Sequence, residues 1–211
     1  MSALRLIDKP ECPFCWRVRI AAALQSREVE SLDRSEPEVL AEWQRLSPHR
    51  SVPVLIDGDL VLTDSGPILE YLAETGMALL PDSPRQRAEA RSWMAYGDNV
   101  LGRSMREVVF EKRDKPEDEW DQERIREGVR GFLQGLPTIE KALDNGPFLA
   151  GGQPTLAECA LFPRFALALT YGVEVPSDFP RIRQWIKRMV VHPAFMSASP
   201  ERVRNILVEY A

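Results

Sequence analysis

The strongest restriction on the fold is a change of hydrophobic period near residue 80. Before it, short β-rich runs alternate with short helical ones. Residues 3–8 (ALRLID) alternate as a strand does, and 15–26 continue as a helix with Val18, Ala21, Ala22 and Leu24 available for packing. VESLD (29–33) reads as a second strand and PEVLAEWQRL (37–46) as a helix. In SVPVLIDGDLVLTD, two β-rich runs flank Asp57-Gly58, a hairpin signal. SGPILEYLAETG then reads as a short helix, with Ser65 as N-cap and Gly76 just past its end. The order is β-α-β-α-β-β-α.

Beyond Pro84 the period is that of long helices, at about 85–112, 120–144, 155–171 and 178–191, with a shorter one near 200. The intervening MALLPDSP carries two prolines and reads as a linker. An α/β domain over residues 1–78 and an all-helical domain over 84–211 are expected. The stretch EKRDKPEDEWDQER reads as a solvated loop and helix start, and the sequence has no internal repeat.

Composition narrows the function class. The chain has 211 residues, 44% hydrophobic and 28% charged, as a globular protein does. No stretch approaches the roughly 20 apolar residues of a membrane span, and MSALRLIDKP lacks the apolar region of a signal peptide, so a cytoplasmic protein without membrane partners is expected. The net charge is −5, all of it before residue 80, and the remainder balances 19 basic against 19 acidic residues. Neither part suits a nucleic-acid backbone.

Three cysteines cannot build a disulfide scaffold. Two of them stand three apart in ECPFCWRVRIAAAL (11–24), between the first strand and the first helix. Pro13 suits the first helical turn, where its missing N–H costs least. The helix dipole and the free N–H groups there favour an anion, which lowers the pKa of Cys12 and makes it a nucleophile. Arg17 and Arg19 add positive potential, and Cys15, one turn further in, is expected to be more buried. A zinc site needs about four ligands, and only Cys159, His49 and His192 remain beyond the pair; no metal is expected. In TLAECALF, Cys159 reads as core, and the CPFC pair read alone also allows two incidental cysteines at a helix start.

CPFC opening a helix, then VPVL, a hairpin and Asp64-Ser65 before another helix, resembles the thioredoxin-like domain of cytosolic glutathione transferases. The resemblance covers nearly the whole chain. PFLAGGQPTLAECALFP (147–163) is similar to the start of that family's central buried helix, with Thr155 as cap and Glu158, where the family usually has Asp, closing a capping box. FPRIRQWIKRMVVHPAF (179–195) is similar to its penultimate helix. A cysteine at the first position of CPFC resembles the omega-type and related bacterial classes, and the complete motif resembles glutaredoxins.

The resemblance implies glutathione as co-substrate and thiol chemistry. Cys12 would take up glutathione as a mixed disulfide, and a second glutathione, or Cys15, would release it. It implies that Val52, before a cis Pro53, pairs with the cysteinyl part of glutathione, that Asp64 and Ser65 hold the γ-glutamyl end, and that Phe14 lies beside the sulfur. Read alone, Asp64-Ser65 is equally a helix cap and Pro53 a rigid turn. Arg34, His49 and Arg50 are alternatives for the cation that meets the glycyl carboxylate. A small second substrate would lie between the domains against the first long helix, where Tyr96, Asn99 and Arg103 are candidate pocket residues and Trp93 reads as a core or dimer contact. The family resemblance also implies a homodimer packed through this helix and helix 65–75.

The leading expectation is a glutathione-dependent thiol transferase acting on mixed disulfides, dehydroascorbate or similar small oxidants. Two other readings are a non-catalytic partner-binding protein of the same fold, like the stringent-starvation proteins, and conjugation or isomerisation of a hydrophobic electrophile.

Overall fold

The computed structural model describes residues 4–76 and 79–210. Ala3 of the first expected strand and Met77 and Ala78 of the expected linker lie outside the described residues. The first part follows the expected order: β1 (Leu4–Asp8), α1 (Pro13–Leu24), β2 (Val29–Asp33), α2 (Pro37–Leu46), β3 (Val54–Asp57), β4 (Leu60–Leu62) and α3 (Ser65–Thr75). The sheet order is β2-β1-β3-β4; β1 and β2 are parallel, and β3 runs antiparallel to both β1 and β4. Gly58, at φ +60°, makes the left-handed step between β3 and β4 that a side chain would resist.

Strand alternation gives this sheet two faces. Leu4 and Leu6 of β1 join the large core with Trp16, Val18 and Ile20 of α1, whereas Ile7 joins Val54, Ile56, Val39 and Trp43 in a smaller cluster under α2. Helix α1 is therefore buried between the sheet and the helical part.

That second part contains α4 (Pro84–Tyr96), a π-helical segment (Gly97–Gly102), α5 (Arg103–Asp114), α6 (Gln122–Ala142), α7 (Leu156–Thr170), α8 (Pro180–Val190), α9 (Pro193–Ala198) and α10 (Glu201–Tyr210). The helix expected over 85–112 is thus one continuous helical run with a widened turn in its middle. Two helices, not one, lie near residue 200. Helix α7 is buried on every side from Leu156 to Leu169, as a central helix must be. Its Phe162 meets Trp16 of α1 edge-on at 5.9 Å and Phe195 of α9 at 5.2 Å, while its Phe165 meets Trp185 of α8 and Phe132 of α6, each at 5.4 Å. This aromatic chain ties the α/β part to the helical part through α1 and α7.

The start of α7 is held as the sequence implies. The Thr155 hydroxyl accepts from the Ala157 N–H, and Glu158 accepts from the N–H groups of Leu149 and Thr155, both at 2.8 Å. At α3 the cap differs from the expectation of Ser65. Asp64 occupies the N-cap, with extended backbone and its carboxylate accepting from Gly66 N–H at 2.9 Å, and Ser65 is the first helical residue. The longer acceptor reaches the second N–H of the turn from one residue earlier.

Glu158 is wholly buried, so deleting its carboxylate strands two backbone N–H donors. Glu158→Ala is expected to lower unfolding stability by about 2–4 kcal/mol, read by urea denaturation, because each buried donor left unpaired costs ~1–3 kcal/mol.

Candidate functional site

Strand register brings the motif residues to one end of the sheet. Ile7 near the end of β1 pairs with Val54 at the start of β3, and Leu55 pairs with Leu62 at the end of β4. The CPFC turn after β1, the Val52-Pro53 step before β3 and Asp64-Ser65 after β4 therefore share that end. The Val52–Pro53 peptide is cis. Its loop is braced from behind: Ser51 O accepts from Trp43 Nε1 and from Ser47 Oγ, both at 2.9 Å, and Ser51 N–H donates to Ser47 Oγ at 3.0 Å. Arg50 sits in this loop at φ +52°, and the Arg34 guanidinium is stacked on Trp43 at 5.0 Å. Asp64 is exposed and Ser65 buried; the Ser65 hydroxyl makes no hydrogen bond among the described residues.

Cys12 is the N-cap of α1, with Pro13 in the first helical turn, and it shares the cleft mouth with Phe14, which is 39% exposed. All three cysteines are free, and Cys15 is fully buried. The Cys12 thiol is lowered to about 6. The largest cause is the Cys15 thiol, which donates a hydrogen bond to the Cys12 sulfur; burial opposes it, and the backbone N–H groups of Cys15 and Phe14 add to it. Burial, and then Cys12 itself, push the Cys15 thiol far up. The motif therefore separates the pair into an anion and its donor. Cys159 is buried in the core and its thiol is pushed up by that burial.

Beneath Phe14 lies a charged cluster that joins the two parts of the molecule. Arg17 of α1, 1% exposed, donates Nη1 to Asp98 Oδ2 at 3.0 Å and Nη2 to Oδ1. Arg164 of α7, 6% exposed, donates Nη2 to the same Oδ1 at 2.8 Å. The two guanidinium carbons lie 4.9 and 4.5 Å from the Phe14 ring centre. Burial works to raise the Asp98 pKa, but Arg17 and Arg164 outweigh it and hold the carboxyl below its ordinary range. Two buried cations share one carboxylate, which leaves a positive excess at the cleft floor; burial, and then Arg17, lower the Arg164 pKa, and Asp98 opposes them.

The cleft between the two parts has a volume of about 780 Å³. Cys12, Phe14 and Arg164 line it together with Asn99, Arg103 and the cleft-facing residues of α5. Val52, Pro53, Asp64 and Ser65 are not part of that lining; they flank Cys12 along the sheet end instead. Tyr96 is a correction. Its hydroxyl donates to Gly135 O at 2.9 Å, its ring packs edge-on against Trp93 at 5.3 Å, and it does not line the cleft. Helical spacing alone aligns residue 96 with Asn99 and Arg103, but the wider π turn at 97–102 rotates the helix before it. Trp93 packs against the core, as expected.

Arg17 and Arg164 were not legible from the sequence as partners of Asp98. A signal was present: Arg164 interrupts the otherwise apolar FPRFALAL, and a charge at such a position needs an ionic partner. Gly97 and Gly102 bound the π segment, and a Cβ on Gly102 would lie 2.8 Å from the Arg164 guanidinium carbon. Among the described residues no group of side chains could hold a metal ion.

Comparison with known proteins agrees with this architecture. Residues 6–76 match the family model described as glutathione S-transferase, N-terminal domain, and residues 122–188 match that of its C-terminal domain. The chain is 30% identical to glutathione S-transferase U1 of Arabidopsis thaliana over 217 residues, covering 97% of this chain and 92% of that protein. It is 28% identical to a probable maleylacetoacetate isomerase of Vibrio cholerae, covering 95% of this chain and 97% of that one. The theta class glutathione S-transferase of Xanthomonas axonopodis pv. citri, solved with glutathione bound, superposes with a TM-score of 0.80 at 25% identity, over 94% of this chain and 97% of that one. With a thioredoxin-like first part, an all-helical second part and relatives that align along nearly their whole length, this chain belongs to the glutathione S-transferase family.

Proposed function

We propose that the protein is a glutathione-dependent thiol transferase of the cysteine type, with Cys12 as nucleophile. The observation that carries this reading is the unequal cysteine pair: Cys12 at a helix N-terminus with its pKa lowered to about 6, and Cys15 buried behind it as a protonated donor. The Cys12 thiolate attacks the glutathionyl sulfur of a mixed disulfide. A Cys12–glutathione disulfide forms and the other thiolate leaves; the thiolate of a second glutathione then attacks the glutathionyl sulfur, forms glutathione disulfide and returns the Cys12 thiolate. Burial, the largest cause of the raised Cys15 pKa and one that persists when Cys12 is in a disulfide, favours this monothiol route over resolution by Cys15, since a buried protonated thiol is a poor attacking group.

Residues 1–78 would form the glutathione-binding domain and 84–211 the helical domain that carries the second substrate. For glutathione, Val52 beside Pro53 would pair with the cysteinyl backbone, and Asp64, Ser65 and the α3 N-terminus would take the γ-glutamyl end. The free Ser65 hydroxyl and the exposed Asp64 carboxylate support this assignment. The reading includes a cytoplasmic homodimer; no helix among the described residues is long and apolar enough to cross a membrane. The names of the relatives support a second reading, transfer of glutathione to a carbon electrophile or isomerisation of a substrate.

Cys12→Ala is expected to lower turnover of a glutathione mixed disulfide by more than about 100-fold, while Cys15→Ala lowers it far less, and only through the smaller thiolate fraction of Cys12 at neutral pH. Retained turnover in the Cys12 variant, or faster turnover of a chlorinated aromatic than of the disulfide by the native protein, would favour the second reading. The thiol loses its proton as pH rises. The rate of Cys12 alkylation by iodoacetamide is therefore expected to climb through a midpoint near 6 and level off above it. Cys15→Ala is expected to move that midpoint upward, because it removes the largest lowering cause. A native midpoint in the ordinary thiol range of about 8–9 would contradict the assignment.

A further inference from the structure

The cleft wall opposite Cys12 is cationic in a way that binding of glutathione by the sheet end does not use. Arg103, Arg106 and Arg113 of α5 line it, at spacings of three and seven that keep them on one helical face. They span roughly 15 Å at the helical rise. Arg113 is engaged by Asp114 at 2.6 Å. Among the described residues, Arg103 and Arg106 have no carboxylate partner, and both are exposed. Lys9, on the CPFC side of the same cleft, makes no direct ion pair among the described residues, although its charge acts on Asp33 and Asp114.

The acidic residues of the lining do not offset these charges. Asp98 is already shared by Arg17 and Arg164, and Glu11 pairs with Arg202 at 3.5 Å. Arg164 itself lines the cleft, is 6% exposed, and its Nε has no hydrogen-bond partner. Arg103 and Arg106 are solvated, so the cost of their crowding is small, but the wall keeps an uncompensated positive potential that an anion can meet. Between the cations the wall is apolar, with Met105, Val109, Phe110 and Leu167. The Phe110 ring is covered by Arg106 at 5.3 Å and Arg113 at 4.9 Å, which holds both guanidiniums along the wall.

We infer that the second ligand of this cleft is an organic carboxylate, an apolar body carrying a carboxylate that Arg103 and Arg106 receive while its reacting atom faces Cys12. This inference names the substrate class of the site proposed above and rests on that site reading, but not on which reaction Cys12 performs. Glutathione also carries carboxylates, so a second source of the same chemistry has to be separated from it.

Two unreactive thioethers make that separation: S-(4-carboxybenzyl)glutathione and its neutral isostere S-(4-carbamoylbenzyl)glutathione. They are titrated calorimetrically into the Cys12→Ala protein, in which no chemistry occurs. The carboxylate is expected to bind about tenfold more tightly at low salt, the ~1.4 kcal/mol of a charge-assisted hydrogen bond at an accessible site. The preference is expected to shrink as salt is raised. In Arg103→Gln/Arg106→Gln the ratio of the two affinities is expected to fall to about one. Equal binding by the parent protein, or a ratio that survives the double substitution, would overturn the inference. So would an equal weakening of both ligands with the ratio intact, since that places the arginines on the glutathione part. Loss of thiol-transferase activity is read separately and leaves this ratio untouched.

Discussion

Asp98 is the point on which the site depends. It sits in the widened turn of the helical part, it is the ionic partner of Arg17 from α1 and Arg164 from α7, and the two guanidiniums flank the ring of Phe14 inside the CPFC motif. Without the carboxylate, two cations nine-tenths or more buried would face each other, at a cost of several kcal/mol per ion. With it, the helical part, the central helix and the CPFC turn are fixed against one another, and the residual positive charge lies in the cleft that Cys12 opens onto. The π turn is what carries Asp98 and Asn99 to that position, and Gly102 leaves room for the Arg164 head.

From this follows a division of labour. The sheet end offers backbone and polar groups from three chain segments beside Cys12, which suits an extended peptide such as glutathione. The helical part offers a cationic and apolar wall, which suits a different ligand. Cys12 stands where the two meet. Its lowered pKa arises mainly from the neighbouring Cys15 thiol, with the first N–H groups of α1 in support, so a short motif sets the state of this sulfur before any second-domain residue acts.

Much of the fold was legible because it depends on local pattern. The alternation of β1, the turn at Gly58, the capping box at Thr155 and Glu158 and the wholly apolar α7 each leave a mark on neighbouring residues. The helix start at CPFC and the cis bond before Pro53 were legible for the same reason. What was not legible depends on pairs far apart in the chain. Arg17 and Asp98 are separated by 81 positions and Asp98 and Arg164 by 66, and no periodicity relates them. Tyr96 stands in the same stretch of sequence as Asn99 and Arg103, and only the wider turn between them gives it another face. Asp64 and Ser65 both suit a cap by residue type, and only the backbone shows which of them precedes the helix.

The central claim, that Cys12 alone is the thiol poised to exchange with a glutathione disulfide, is tested most directly by peptide-mapped mass spectrometry of the native protein after brief exposure to glutathione disulfide at neutral pH. The account predicts a single glutathionyl group on Cys12, with Cys15 and Cys159 unmodified. Glutathionylation at Cys159 or Cys15 in its place, or no adduct under conditions where free cysteine exchanges, would contradict it.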